Sequence, residues 1–252
     1  MFWEKFDLYK NNTAFIDSKN DKLISYAQLN NDINLFIPQL KLADYSLCLI
    51  LTNNSYSSVV AYISMLHSNN IGMLLNNNTN DEFLDNIIKI YNPDLVISNE
   101  TRNISNYICE ETTIDNNKVF LYRSKTNNIK TKTDTKIMLS TSGSTGSVKF
   151  VRLSNKNVNA NAKSISEYLE ISESERAITS LPINYSFGLS IINSHLFVGA
   201  SIILTEESLI QKRFWEIFNK YKATTFSGVP YTYQMLQRIN FSKMELPSLR
   251  YF

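Results

Sequence analysis

Six glycines, five prolines, two cysteines and two histidines are all that this chain of 252 residues contains. Cys48 and Cys109 have no C-x-x-C spacing, so they provide neither a disulfide framework nor a zinc site. Cys48, inside the apolar run "YSLCLILT", reads as a small buried hydrophobe. His67 and His195 are too few for a histidine-rich metal centre. The opening "MFWEKFDLYKNN" carries charges among its first residues and lacks the apolar stretch of a signal peptide. No apolar run is long enough to span a bilayer. A net charge of +2 gives no general reason to expect nucleic acid or an anionic membrane as partner. The expected setting is the reducing cytoplasm.

What the chain does have is a core. Hydrophobic residues make up 43% and aromatics 12%, enough to rule out global disorder. Apolar runs at Ala14–Ile16 and Leu23–Ile24 flank a polar turn. Ser25 then caps a predicted helix with Tyr26, Leu29, Ile33 and Phe36 at helical spacing. "SLCLILT" reads as a buried strand, and Asn54 or Ser55 caps a helix bearing Val59, Val60, Ile63 and Leu66. A strand "IGMLLN", a helix "NDEFLDNIIKIY" ended by Pro93 and a strand "DLVIS" follow. Strongly apolar strands alternating with helices predict a parallel sheet covered by helices. Residues 110–136 are polar and mildly basic. They read as a solvated connection with one short strand, because their aromatics are not interleaved with the charges as a base-stacking platform requires.

The second half repeats the alternation. "SNKNVNANAKSISEYLEI" is a helix capped by Ser154 or Asn155, "RAITSLP" a strand, "FGLSIINSHLFVG" an apolar helix and "ASIILT" a strand. "SLIQKRFWEIFNKY" is an amphipathic helix, "TTFSGVP" a strand and "YTYQMLQRI" a helix. His195, on the apolar helix, reads as a satisfied core residue. The closing "LPSLRYF" reads as the start of another strand. Its exposed sheet edge suggests a domain cut short.

Between the halves lies "LSTSGSTGSVKFVRLS". Thr141 to Ser147 are all Ser, Thr or Gly, two of the six glycines stand three apart, and Lys149 follows. The hydroxyls of Thr141, Ser142, Ser144 and Thr145 can donate hydrogen bonds. Gly143 and Gly146 let backbone N–H groups approach a ligand, successive N–H groups form an anion-binding concavity, and Lys149 adds a positive charge. The set suits a polyphosphate. It is not the P-loop pattern G-x-x-x-x-G-K-[ST]: the glycines are too close, Lys149 follows no glycine, and Phe150 replaces the magnesium-binding hydroxyl. "VKFVRLS" alternates like a strand, so the loop is expected between two antiparallel strands.

The loop resembles the phosphate-binding signature T-S-G-[ST]-T-G-x-P-K-G of the adenylate-forming superfamily, which includes acyl-CoA synthetases, peptide-synthetase adenylation domains and luciferases. Thr141, Ser142, Gly143, Ser144, Thr145, Gly146 and Lys149 match it; Val148 and Phe150 depart from it. "AFIDSKNDKLISYAQLNNDIN", the run from Cys48 to Ser98, "LPINYSFGLS" and "FSGVPYTYQML" resemble further segments of the family in the same order. In "LPINYSFGLS", Pro182 and Gly188 keep their places and Tyr185 stands where many members have histidine. Core packing is the other reading of Tyr185, and a plain strand end that of Ser227 to Pro230.

The resemblance implies an α/β fold, the N-terminal domain of the adenylate-forming ligases, with successive mostly parallel sheets covered by helices and incomplete at its C-terminus. Residues 1–252 would be a partial AMP-binding domain without the mobile C-terminal domain. The implied reaction is attack of a carboxylate on the α-phosphate of ATP, giving acyl-AMP and pyrophosphate. The acyl group then passes to coenzyme A or to the phosphopantetheine thiol of a carrier protein. Lys149 would be catalytic, the loop would hold the phosphates, and Tyr185 and Gly228 would border the pocket for a small carboxylic acid. No Y-G-x-T-E tract is present, so the Mg2+ ligand is expected outside this stretch, and the chain alone is expected to be inactive. One half of a split ligase and a non-catalytic nucleotide-binding module stand as alternatives.

Overall fold

The computed structural model describes residues 1–126, 128, 130–141 and 149–252. Eleven strands are seen among the described residues: β1 (Thr13–Asp17), β2 (Lys22–Ser25), β3 (Leu47–Thr52), β4 (Ile71–Asn76), β5 (Leu95–Ser98), β6 (Tyr107–Ile114), β7 (Asn117–Ser124), β8 (Thr135–Ser140), β9 (Phe150–Ser154), β10 (Arg176–Ile178) and β11 (Ser201–Leu204). The helices are α1 (Tyr26–Leu40), α2 (Tyr56–His67), α3 (Asp81–Tyr91), α4 (Asn155–Tyr168), α5 (Ser186–Phe197), α6 (Lys212–Lys220) and α7 (Pro230–Arg238).

The strands form two sheets, one ordered β6-β7-β5-β3-β4-β8-β9 and the other β10-β11-β1-β2. In the larger sheet β5, β3, β4 and β8 run parallel, flanked by the antiparallel β6–β7 and by β9. In the smaller sheet β1 pairs in parallel with β11 and antiparallel with β2. The opening hairpin therefore completes the second sheet rather than standing before the first.

Side-chain alternation produces five layers. Cys48 and Ile50 of β3 and Leu74 of β4 point into a central core, where α2 is buried from Tyr56 to Leu66. A helix apolar all round belongs in such an interior. Leu49, Leu51, Met73 and Val96 face the other way, onto Leu84 and Ile87 of α3. On the far side of the smaller sheet, Ile16, Ile178 and Ile203 pack on Phe214 and Phe218 of α6. The N-terminal 3-10 helix, Phe2–Tyr9, inserts Phe2, Trp3 and Phe6 into the central core.

Three caps resolve as hydroxyls. Ser25 accepts from the Gln28 N–H, Ser55 from Ser58 and Ser154 from Asn157. Two expectations are corrected. Residues 110–136 hold not one short strand but most of a hairpin of two eight-residue strands. Asp115 and Asn116, at φ 48° and 64°, supply the tight turn it needs, and Val119 and Leu121 anchor one face in the central core. "TTFSGVP" forms no full strand: Thr225 alone makes parallel bridges to Ala177 and Tyr251. The turn through Gly228 and Pro230, which opens α7, interrupts the pairing.

Candidate functional site

The carboxyl ends of β3, β4, β5 and β8 lie on one edge of the larger sheet, because those strands are parallel. Thr141 follows β8 at that edge. Its N–H donates to the Lys149 carbonyl at 3.0 Å, and its hydroxyl donates to the same oxygen at 3.2 Å. Ser140 pairs with Phe150 just inside. The antiparallel strands expected on either side of the loop are thus present, and Thr141 and Lys149 close its neck. Ser142, Gly143, Ser144, Thr145 and Gly146 lie outside the described residues. Lys149 is exposed. The departure at Phe150 has a packing role: its ring meets Tyr91 of α3 edge-on, centroids 5.1 Å apart.

Tyr185 is the N-cap residue of α5 and is 45% exposed. Its N–H donates to the Pro182 carbonyl at 3.0 Å. A Cβ on Gly188 would stand 2.2 Å from that same oxygen, so glycine is what lets the turn fold back on the helix. The Ser180 hydroxyl donates to the Ser227 carbonyl at 2.5 Å, tying this turn to the segment that carries Gly228. Gly228 is half-buried against Thr232, whose Cβ lies 2.8 Å from where a Cβ on Gly228 would be.

Between α4, α5 and the Thr225–Tyr251 bridge is a cavity of about 860 Å³. That is ample for a small organic ligand. Leu139 and Leu153 of the β8–β9 hairpin form one wall and Leu189 and Ile191 of α5 another. Neither Tyr185 nor Gly228 lines it, although their neighbours Ser186 and Ser227 do. Leu139 stands two residues from Thr141, about 7 Å along a strand, so a single hairpin carries both the loop and a cavity wall.

His195 also lines this cavity and is 2% exposed. It is a core residue, as expected, but only half satisfied. Nδ1 lies 2.8 Å from the Ile191 carbonyl, while Nε2 has no partner among the described residues. Burial drives its pKa down to about 4. The apolar run around it in the sequence concealed this polar atom.

A second cleft, about 640 Å³ and polar, opens where the carboxyl edges of the two sheets meet. There Asn53 Oδ1 accepts from the Ser55 hydroxyl at 2.6 Å, from Ser58 at 2.9 Å and from Asn99 Nδ2 at 2.9 Å. Asn54 Nδ2 reaches the Leu181 carbonyl at 3.4 Å, joining this edge to the Pro182 turn. The sequence signal for this network is the Asn and Ser that follow β3 and β5 at the ends of their apolar runs. Among the described residues no three His, Cys, Asp or Glu side chains converge to hold a metal ion. Among them, too, no helix is long and apolar enough to cross a membrane.

Comparison with known proteins gives a consistent picture. The family model described as "AMP-binding enzyme" matches residues 2–252. An oxalate–CoA ligase of Arabidopsis thaliana is 30% identical over 122 residues, which are 47% of this chain and 24% of that ligase. O-succinylbenzoate coenzyme A synthetase from Bacillus subtilis, solved in complex with AMP, superposes with a TM-score of 0.79 at 19% identity. The match covers 99% of this chain and 66% of that one. A fatty acyl CoA synthetase of Mycobacterium tuberculosis superposes with a TM-score of 0.77 at 14% identity, over 100% of this chain and 53% of that one. Two-thirds of these solved chains at most, and about a quarter of the curated ligase, are thus spanned by the match.

Proposed function

The chain belongs to the AMP-binding enzyme family, and on that premise we propose that it takes part in ATP-dependent activation of a carboxylic acid. The observation that carries the reading is the β8–β9 hairpin, which closes the Ser/Thr/Gly loop with Thr141 and Lys149 and walls the cavity with Leu139 and Leu153. On this reading a phosphate-binding loop and an acid-sized cavity share one hairpin, which brings two reactants together, and proximity of that kind is the main resource of phosphoryl chemistry.

In this reading the loop N–H groups and hydroxyls from Thr141 to Gly146 hold the β- and γ-phosphates of ATP. The Lys149 ammonium offsets the negative charge that builds up on the departing pyrophosphate. The carboxylate oxygen bonds to the α-phosphorus and the bond to the pyrophosphate oxygen breaks, leaving acyl-AMP. Tyr185, exposed at the start of α5, borders the carboxylate, and Gly228 shapes the segment beside it. The acceptor thiol is that of coenzyme A, in keeping with the names of the relatives, or of a carrier protein's phosphopantetheine.

Mg2+ would neutralise phosphate charge, but no residue described here is assigned to it. The 252 residues hold no Y-G-x-T-E tract. On this reading residues 1–252 alone do not turn over substrate, and activity requires an adenine- and magnesium-binding part, joined in cis or added as a second chain. The test is hydroxamate trapping of acyl-adenylate with fatty, aryl and amino acids, run with and without that part. Robust product from residues 1–252 alone overturns the division of labour. No product from the completed enzyme with any acid class overturns the activity.

A further inference from the structure

We infer that the α4–α5 cavity selects carboxylic acids whose apolar body carries an uncharged hydrogen-bond acceptor, a ketone, ether or amide oxygen, and that the Asn193 side-chain amide donates to it. The inference rests on the reading of this cavity as the acid pocket and adds the class of acid.

The argument begins with the orientation of that amide. Asn193 lies within α5, lines the cavity and is 3% exposed. Its Oδ1 accepts the Tyr62 hydroxyl of α2 at 3.0 Å. Tyr62 is fully buried, and burial keeps its phenol protonated. Turned the other way, the amide would set an N–H group against the phenol and leave a buried donor unmet, which is costly. The tie to Tyr62 therefore fixes Oδ1 toward the core and Nδ2 away from it.

Nδ2 has no hydrogen-bond partner among the described residues. It is also not sealed. The unpartnered side-chain atoms shut off from solvent include His195 Nε2 and Asn184 Oδ1, but not Asn193 Nδ2. An unbonded nitrogen with open space against it, on a residue buried this deeply, faces the cavity that the residue lines. It offers two N–H donors there.

The surroundings narrow the class of ligand. Leu139, Val158, Leu189 and Ile191 give the cavity apolar walls. Among the described lining residues Arg152 alone carries a charge, and it is exposed on the edge strand β9. A second carboxylate beside Nδ2 would be a buried charge without a cation, so an uncharged oxygen is the better match. A purely apolar acid filling this space strips Nδ2 of water and leaves its N–H groups unmet. An acid with an oxygen at that point replaces the water.

The test uses the completed enzyme and three matched pairs: decanoic and 6-oxodecanoic acid, decanoic and 8-oxodecanoic acid, and 3-(4-ethylphenyl)propanoic and 3-(4-acetylphenyl)propanoic acid. Hydroxamate trapping gives kcat/KM for each acid. In at least one pair the oxo acid should be favoured about tenfold. The double change Tyr62→Phe with Asn193→Leu removes both partners of the buried bond and strands neither, and it should erase the preference. Ser190→Trp sets a bulky ring on another lining residue, and it should raise KM for both acids of every pair. Equal kcat/KM within all three pairs, or a preference that survives the double change, overturns the inference and leaves the acid pocket standing. An unchanged acid KM in Ser190→Trp overturns the acid-pocket assignment and the inference with it. No product from any of the acids overturns the inference through the activity on which it rests.

Discussion

The Pro182 carbonyl oxygen lies 2.2 Å from the point where a side chain on Gly188 would begin. The same oxygen accepts the Tyr185 N–H at 3.0 Å, so one carbonyl fixes both the turn and the first turn of α5. A Cβ there meets backbone on a short, tied turn, which cannot step aside as a flexible side chain would. Gly188→Ala should destabilise the protein by about 1–3 kcal/mol, as overpacking does. Urea denaturation measures this. An unchanged midpoint would mean that the turn relaxes freely and that Tyr185 is not held by it.

Lys149 is exposed at the neck of the loop, where its ammonium is available to an anion. Lys149→Ala should weaken nucleotide use by roughly ten- to a hundredfold, the scale of one charged hydrogen bond, and leave acid affinity within about twofold. Pyrophosphate exchange in the completed enzyme, with ATP and acid varied separately, distinguishes the two effects. An unaltered ATP dependence would remove Lys149 from the phosphate site.

The sequence made these features legible to different degrees for physical reasons. Strands such as Leu47–Thr52 and Leu95–Ser98 are buried on both faces, so they stand out as apolar runs. Ser25, Ser55 and Ser154 announce their helices because few residues cap well. The β6–β7 hairpin was obscured because β6 is an edge strand with mostly polar, exposed side chains, and only the Asp115–Asn116 pair hinted at its turn. The loop stood out in the sequence as a run of hydroxyls and glycines followed by a lysine, and of it the described residues place the neck, Thr141 and Lys149. The cavity did not stand out. It is made by residues far apart in sequence, from Leu139 to Tyr251.

The Arg250–Glu175 pair holds the end of the described chain against β10. Arg250 Nε lies 2.6 Å from Glu175 Oε1, the Thr224 hydroxyl donates to the other carboxylate oxygen, and the Glu175 side chain is 7% exposed. Arg250→Ala leaves that carboxylate buried with a single donor. A cost of about 1–3 kcal/mol is expected, below the range for a fully buried pair because Arg250 itself is 41% exposed. The double change Glu175→Leu with Arg250→Met should recover most of the loss, since a buried pair replaced together costs little. Additive losses in a double-mutant cycle would show that the two residues act independently.

Acid should destabilise the protein partly through its histidines. Burial, reinforced by the nearby Arg250 charge, lowers the His195 pKa from 6.5 to about 4, and burial lowers that of His67 as well. The unfolded chain therefore binds more protons than the folded one between about pH 6.5 and pH 4, and stability rises with pH across that window. The His195 contribution is complete above its unfolded pKa and is lost as pH falls toward its folded value. Its total size is on the order of 3 kcal/mol. In His195→Leu the slope of unfolding free energy against pH should fall by up to about 1.4 kcal/mol per pH unit in that window. Carboxylate titration, common to both proteins, cancels in the difference. Denaturant unfolding at half-unit steps of pH supplies both curves. Parallel curves would mean that His195 titrates alike in the folded and unfolded chain, and that its ring is open to water in the folded state.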